Sequence, residues 1–352
     1  MTLAQATVTQ CVVRVDDPSI SFRDAGGRSL LGWLLREFTR FGVTDVLLLT
    51  GHVPPGLQAG LPLPVRVTLA PPPNGEGSGG ALLHVRDQLQ DRFLYCDGTA
   101  LFDWNLATLL ADAAKDGPEL AGRIARFGDG RASGIGLFRQ GLLNHLRPAC
   151  SLEADILPAL SRRGLLPVTT VDGTPAAMAG AGTVPGRLRR KALFLDRDGV
   201  LNIDHGYVGS RERFEWADGA LAAIRHATLA GWHVFIVTNQ SGVARGLYTE
   251  DTVRDLLRWI ADQARGAGGT VDDVRFCPYH PEATLDAYRH AHPWRKPAPG
   301  MLLDLIQAWE LDPNRAVMIG DQPTDMAAAA AAGVAAHLFP GGDLLAFVRS
   351  VL

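Results

Sequence analysis

Three short apolar runs in the second half of the chain restrict its fold more than any other feature. Ala192–Leu195 (ALFL), Val234–Val237 (VFIV) and Ala316–Ile319 (AVMI) are continuous rather than alternating, and each stops at polar residues: Asp196, Thr238-Asn239 and Gly320-Asp321. A strand wetted on one face alternates apolar and polar residues, whereas a continuous run of this length suits a strand covered on both faces. That predicts a parallel sheet with helices on either side. In open α/β sheets ligands bind beyond the carboxyl ends of the strands. The polar residues closing these runs are therefore expected to meet at one site.

The first half shows the same alternation less sharply. Val46–Thr50 follows Leu30–Phe41, whose apolar residues recur at helical spacing; Phe93–Cys96 follows a glycine-rich turn, residues 74–82, and a helix-like stretch, Ala81–Gln90. Thr174–Arg190 is rich in Ala, Gly and Pro, carries no hydrophobic period and ends in a basic cluster, which predicts a linker. The expected organisation is α/β throughout, with two domains, each a mostly parallel sheet covered by helices: residues 1–175, a linker at 176–190, and residues 191–352. A length of 352 residues suits two domains. A formal charge of −3 argues against nucleic acid as an obligatory partner. Met326–Phe339 reads as one alanine-rich helix, too short to cross a membrane. Cys11, Cys96, Cys150 and Cys277 form no CxxC pair, and MTLAQATVTQ lacks the basic start and apolar core of a secretory signal. The expectation is a cytoplasmic protein with no membrane partner.

The strand ends carry the chemistry. Asp196 and Asp198 are two carboxylates at one strand end, so one can act as nucleophile or metal ligand and the other as general acid. Thr238-Asn239-Gln240-Ser241-Gly242 supplies a hydroxyl, backbone N–H groups and a glycine turn suited to phosphate oxygens. Arg295-Lys296-Pro297 offers two cations, and Asp321, with Asp325 following, adds carboxylates that suit Mg²⁺ alongside Asp196.

Taken in order, FLDRDGVLN, VTNQSGVARG, RKPAPGM and GDQPTDM resemble the four motifs of the haloacid dehalogenase phosphatase superfamily. Within it, DRDGVLNIDHGYV and TNQSGVARG resemble the heptose 1,7-bisphosphate phosphatases, with histidinol-phosphatase domains as a second related family. The resemblance implies a Mg²⁺-dependent phosphatase removing the C7 phosphate of D-glycero-D-manno-heptose 1,7-bisphosphate, in the biosynthesis of nucleotide-activated heptose. It implies that Asp196 attacks phosphorus, that Asp198 protonates the leaving oxygen and then activates water, and that Thr238 and Lys296 hold the phosphoryl group. Mg²⁺ would sit on Asp196, the Asp198 carbonyl and Asp321. Asp204, His205, Gly206 and Tyr207 match the family's substrate loop, Asn239, Gln240 and Ser241 its phosphate loop, and Arg295 its substrate contact. The family's zinc loop is altered. Cys277 is kept, His292 stands where a cysteine is usual, and Tyr279 and Trp294 are not zinc ligands. Zinc is not expected, with Cys277 and His292 as weak ligands if it binds, and the loop is expected to pack through Tyr279 and Trp294.

In the first half, GEGSGGALL, FLYCDGTALFDWN, SGIGLF, SLEADILPAL and VDGTP resemble sugar-1-phosphate nucleotidyltransferases. Two of that family's features are missing. CVVRVDDPSISFRDAGG stands in place of the loop that grips the nucleotide, and Gly98-Thr99 in place of a metal-binding Gly-Asp. Asp97 lies one residue early and is expected on the opposite strand face. The expectation is a domain without turnover, kept for assembly, stability or weak sugar-phosphate binding, with Asp97 or Asp103 as the residues that could otherwise rescue a metal site. The partner implied is a small-molecule sugar bisphosphate; a homo-oligomer or a separate nucleotidyltransferase partner stays open. So do three alternatives: a histidinol-phosphate or other sugar-phosphate phosphatase, a bifunctional phosphatase and guanylyltransferase, and a non-catalytic scaffold.

Overall fold

The computed structural model describes residues 8–22, 29–53, 57, 65–72, 75–100, 104–172 and 191–352. They form two compact units, one within residues 3–188 and one within 189–352. The expected linker, 176–190, and Asp103 lie outside the described residues, as does Asn74 of the glycine-rich turn.

The first unit is built on a seven-stranded sheet: β1 (Gln10–Arg14), β2 (Asp45–Leu49), β3 (Arg66–Leu69), β4 (Arg92–Asp97), β5 (Gly122–Phe127), β6 (Ala132–Arg139) and β7 (Val168–Val171), in the order β3-β2-β1-β4-β6-β5-β7. Only β6 runs antiparallel to its neighbours, β4 and β5. Its helices are α1 (Pro18–Ser21), α2 (Leu30–Arg40), α3 (Gly77–His84), α4 (Leu106–Ala113) and α5 (Leu157–Arg162). Helix α2 starts where the Ser29 hydroxyl accepts from the Gly32 N–H, and it turns Leu31, Leu34, Leu35 and Phe38 into the core. The glycine-rich segment differs from the expected open turn. Helix α3 already begins at Gly77, because Gly79 and Gly80 let it lie against the chain at Pro148–Cys150. A Cβ on Gly80 would come within 2.1 Å of the Pro148 carbonyl oxygen. The glycines serve helix packing here.

The second unit holds a five-stranded, all-parallel sheet: β8 (Lys191–Leu195), β9 (Trp232–Asn239), β10 (Asp273–Cys277), β11 (Ala316–Gly320) and β12 (Ala335–Leu338), in the order β10-β9-β8-β11-β12. Its helices are α6 (Ala220–Leu229), α7 (Glu250–Gly266), α8 (Gly300–Trp309), α9 (Pro323–Ala331) and α10 (Leu344–Val351). Alternate residues of the central strands feed two separate apolar layers, which explains the uninterrupted runs. Leu193, Leu195, Val234 and Ile236 pack with α6, α7 and α10, while Ala192, Phe194, Phe235 and Val237 pack with α8 and α9. Phe194 and Phe235 stack at 5.3 Å between centroids on neighbouring strands. Truncating either to Ala would cost roughly 3–5 kcal/mol.

The stretch expected as one helix, Met326–Phe339, is helix only to Ala331 and then strand β12. Gly333, at φ +72°, takes the left-handed conformation that stops a helix, and the chain leaves as an edge strand. Among the described residues no helix is long and apolar enough to cross a membrane.

Candidate active site

The ends of β8, β9 and β11 surround an open cleft of about 430 Å³ lined by Asp196, Asp198, Thr238, Asn239, Lys296 and Asp321, with Asp204, Gly206, Tyr207 and Ser241 at its wall. Asp196 leaves the central strand held by its own N–H, which donates to the Ile319 carbonyl of β11 at 3.0 Å. One carboxylate oxygen accepts from the Arg197 N–H at 2.7 Å, and the other meets the Lys296 ammonium at 2.8 Å. Lys296 is buried and lies 2.6 Å from Asp325 as well, while donating to the Val237 carbonyl at 3.0 Å. Asn239 fixes the Lys296 backbone from both sides: its amide donates to the Lys296 carbonyl, and its oxygen accepts from the Lys296 N–H.

Burial sets the electrostatics. It pushes the Asp196 carboxyl up to about 7, with Asp325 adding to the rise and Lys296 opposing it. Burial disfavours the Lys296 ammonium, but Asp196 and Asp325 outweigh it and hold Lys296 above its ordinary value. Asp321 is also raised, chiefly by burial.

Asp198 is tied down more firmly than a surface carboxylate. The wholly buried Arg197 guanidinium contacts both of its oxygens at 2.7 Å, the Asn202 amide donates at 3.0 Å, and the Gln240 amide at 2.9 Å. The same Gln240 nitrogen lies 2.9 Å from the Thr238 hydroxyl.

Asp196, Asp321 and Asp325 bring ligand oxygens within 4.8 Å of one another. Asp325 already serves two structural bonds: it pairs with Lys296, and it accepts the Gln322 N–H that starts α9. Asp321 is different, since its Oδ1 is buried with no hydrogen-bond partner. An orphaned carboxylate oxygen beside Asp196 fits a divalent cation, for which hard oxygen donors are the usual ligands. Gly199 makes room for this: at φ +78°, a Cβ there would fall 2.2 Å from Asp321 Oδ2.

Not every expected residue reaches the cleft. His205 turns away to Glu215, at 2.9 Å on the exposed side of its loop. Gln240 lies beneath the cleft, against Asp198 and Thr238. Arg295 donates to the Tyr279 carbonyl at 3.2 Å. Among the described residues Cys277 and His292 belong to no group of three or more possible metal ligands. The buried Cys277 thiol faces the Tyr279 carbonyl at 3.9 Å, while the His292 ring stacks on Tyr279 at 4.4 Å and its Nδ1 accepts from the Trp294 N–H. Tyr279 also meets Tyr288 and His290, so rings occupy the loop. Arg197, Asn202 and Tyr248 are not singled out as site residues by the sequence, whereas Asp325, expected beside Asp321 as a carboxylate for Mg²⁺, is engaged by Lys296 and Gln322. Asp325 also closes a capping box with Gln322 at the start of α9.

In the first unit Asp97 is the last residue of β4, in register with Arg14, and it lines a pocket with Glu153 and with Tyr95, two residues before it on the same strand. The carboxylate folds over to accept from the Thr99 N–H and hydroxyl at 2.9 and 2.7 Å. Arg14 stands among acids, 2.6 Å from Asp16, 3.2 Å from Glu153 and 3.7 Å from Asp97.

The HAD-hydrolase-like family model matches residues 293–343, the segment that carries Lys296 and Asp321. Together with the sheet and its cleft this defines residues 191–352 as a haloacid-dehalogenase-type phosphatase, a hydrolase of phosphoric monoesters. The chain is 55% identical over 164 residues to the D-glycero-beta-D-manno-heptose-1,7-bisphosphate 7-phosphatase of Rhodopseudomonas palustris, a match covering 47% of this chain and 91% of the relative. It is 42% identical over 139 residues to the enzyme of that name from Pasteurella multocida, covering 40% of this chain and 75% of the relative. A crystal structure of D,D-heptose 1,7-bisphosphate phosphatase from B. bronchiseptica, complexed with magnesium and phosphate, is 32% identical at a TM-score of 0.40, covering 46% of this chain and 97% of that one. The chain belongs, through this half, to the D-glycero-beta-D-manno-heptose-1,7-bisphosphate 7-phosphatase family.

Proposed function

We propose that the second unit removes the C7 phosphate of a heptose 1,7-bisphosphate through an aspartyl-phosphate on Asp196. The observation that carries this reading is the Asp196–Lys296 pair, 2.8 Å apart at the end of the central strand and open to the cleft. An anionic nucleophile approaching an anionic phosphate needs nearby positive charge, and a buried ammonium provides it where the dielectric is low.

Asp196 attacks phosphorus and the bond to the sugar oxygen breaks, with the proton from Asp198 passing to that oxygen. Asp198 then takes a proton from water as it attacks the aspartyl-phosphate, releasing inorganic phosphate and restoring Asp196. Thr238 and Lys296 orient the phosphoryl oxygens, and the loop of Asp204 and Tyr207, with Asn239 and Ser241, recognises the sugar. Asp196, the Asp198 carbonyl and Asp321 are the groups that would hold Mg²⁺, whose chemistry is to neutralise charge on the phosphoryl oxygens. The test is steady-state phosphate release from a panel of both heptose 1,7-bisphosphate anomers, histidinol phosphate and simple sugar phosphates, with and without Mg²⁺. Preference for the heptose compounds, Mg²⁺ dependence and loss of turnover in Asp196→Asn support the reading; preference for histidinol phosphate overturns the substrate. The relatives' names carry the β-anomer, which favours that arm of the panel.

For the first unit we read a nucleotidyltransferase-like sheet without turnover. Arg14 pairs with both Asp16 and Glu153, and Asp97 is engaged by Thr99, so each acid there has a partner without a metal. Pyrophosphate release from GTP with heptose 1-phosphate would overturn this. Sedimentation of the full chain measures whether an assembly role, as a homo-oligomer or with a separate nucleotidyltransferase, replaces catalysis.

A further inference from the structure

The hydrogen bonds beneath the cleft extend one residue beyond the motif residues. The Tyr248 hydroxyl donates to Gln240 Oε1 at 3.0 Å, and Gln240 Nε2 faces Asp198 Oδ2 and the Thr238 hydroxyl, each at 2.9 Å. A primary amide has one acceptor end and one donor end. With its oxygen held by a phenol and its nitrogen shared by a carboxylate and a hydroxyl, Gln240 is left a single orientation. Gln240 is buried, so no water competes for these bonds.

The chain makes specific room for the phenol. Tyr248 follows the phosphate loop and its ring fits against Gly209 and Gly242: a Cβ on either would fall 2.2 Å from a ring carbon. Tyr248 also lines the cleft beside Asp198 and Tyr207. Two glycines from separate segments thus seat a side chain whose polar end points at the amide that holds Asp198.

We propose that Tyr248 is a positioning residue that acts through Gln240 to hold the Asp198 carboxyl group in the orientation for proton transfer to the leaving oxygen. This rests on the role given to Asp198 under the proposed function and adds a residue to it. Arg197 and Asn202 hold the carboxylate from the other side, so Gln240 and Tyr248 form the half of the clamp that faces Thr238.

The leaving group separates this role from a merely structural one. A departing sugar alkoxide needs the proton as the P–O bond breaks, whereas p-nitrophenolate leaves without it. Tyr248→Phe removes one hydroxyl and keeps the ring between its glycines. The expected result is a drop in kcat of about tenfold on whichever alkyl sugar phosphate the wild type turns over fastest, the size of one well-placed hydrogen bond expressed at the transition state. The rate of aspartyl-phosphate formation from p-nitrophenyl phosphate, read as p-nitrophenolate release in a single turnover, should stay within about twofold, because Asp198 enters that substrate's reaction only when water attacks the shared intermediate. In a Gln240→Leu background, Tyr248→Phe should have no further effect. Equal losses in aspartyl-phosphate formation from both substrates, no loss on the sugar phosphate, or a loss that persists in Gln240→Leu would each overturn the clamp while leaving the phosphatase reading standing. A wild-type protein inert toward every phosphomonoester would overturn both.

Discussion

The Lys296 ammonium lies 2.8 Å from the Asp196 carboxylate and bridges it to Asp325, 2.6 Å away on its other side, with all three groups buried. With Asp196 ionised, two acids and one base leave this triad with one excess negative charge, so removing the lysine would leave both buried acids without their cation. Breaking a buried pair by deleting one partner costs about 3–5 kcal/mol. Lys296→Ala is therefore expected to lose phosphatase turnover and to lower the urea midpoint by the equivalent of that loss. Lys296→Met with Asp325→Leu should recover much of the stability and none of the turnover. Equilibrium unfolding beside phosphate-release assays separates the two effects.

The raised Asp196 carboxyl predicts proton release on metal binding. In the metal-free protein burial lifts this group to about 7, from an unfolded value near 4. Between those values the folded chain holds a proton that the unfolded chain does not. The associated stabilisation is fully present below about pH 4, weakens as pH rises and is gone above about pH 7. A divalent cation bound to Asp196 must displace that proton. Calorimetric Mg²⁺ titration at pH 6 in buffers of different ionisation enthalpy should report release of about one proton, falling toward zero at pH 8.5. Release that does not change with pH would contradict this assignment.

Gly199 sets the spacing between the loop after β8 and Asp321. A methyl group there would meet Asp321 Oδ2 at 2.2 Å, and its φ of +78° adds a backbone cost of about 1–2 kcal/mol for any other residue. Gly199→Ala should raise the Mg²⁺ concentration for half-maximal activity by about tenfold or more, because Asp321 must move, while p-nitrophenyl phosphate turnover at saturating Mg²⁺ falls less. An unchanged Mg²⁺ requirement would mean that Asp321 is not the displaced group.

The strand ends of the second unit were readable because both faces of that sheet are covered. Phe194 and Leu195 enter different apolar layers, so the run stays apolar and stops where the cleft begins. Side-chain direction was less readable. His205 belongs to the expected substrate loop, but Glu215, brought near by folding, turns it aside. Arg197 sits between Asp196 and Asp198 and reads as a loop cation, yet it is among the largest fully buried side chains in the protein, because the Asp198 carboxylate and the Val208 carbonyl both accept from it. Tyr248 could not be placed from spacing, since its seat is made by Gly209 and Gly242, which only the fold brings together. Met326–Phe339 misled through its composition: alanine favours helix, so Ala335 and Ala336 enter β12 against their propensity, and Gly333 alone marks the change.

The altered loop between Cys277 and Arg295 yields a last expectation. Tyr279 stacks on His292 at 4.4 Å with an interplanar angle of 16°, and contacts His290 and Tyr288 at 4.5 and 5.6 Å, so ring packing supplies the order of this loop. Aromatic pairs of this kind contribute about 0.5–1.5 kcal/mol each beyond the area they bury. Tyr279→Ala should therefore lower the unfolding free energy by about 2–4 kcal/mol, read from equilibrium unfolding in urea. A zinc-selective chelator should leave wild-type Tm and turnover unchanged. Loss of Tm with that chelator, and its recovery on adding zinc, would show that Cys277 and His292 hold a metal in solution after rearranging away from the stacked geometry.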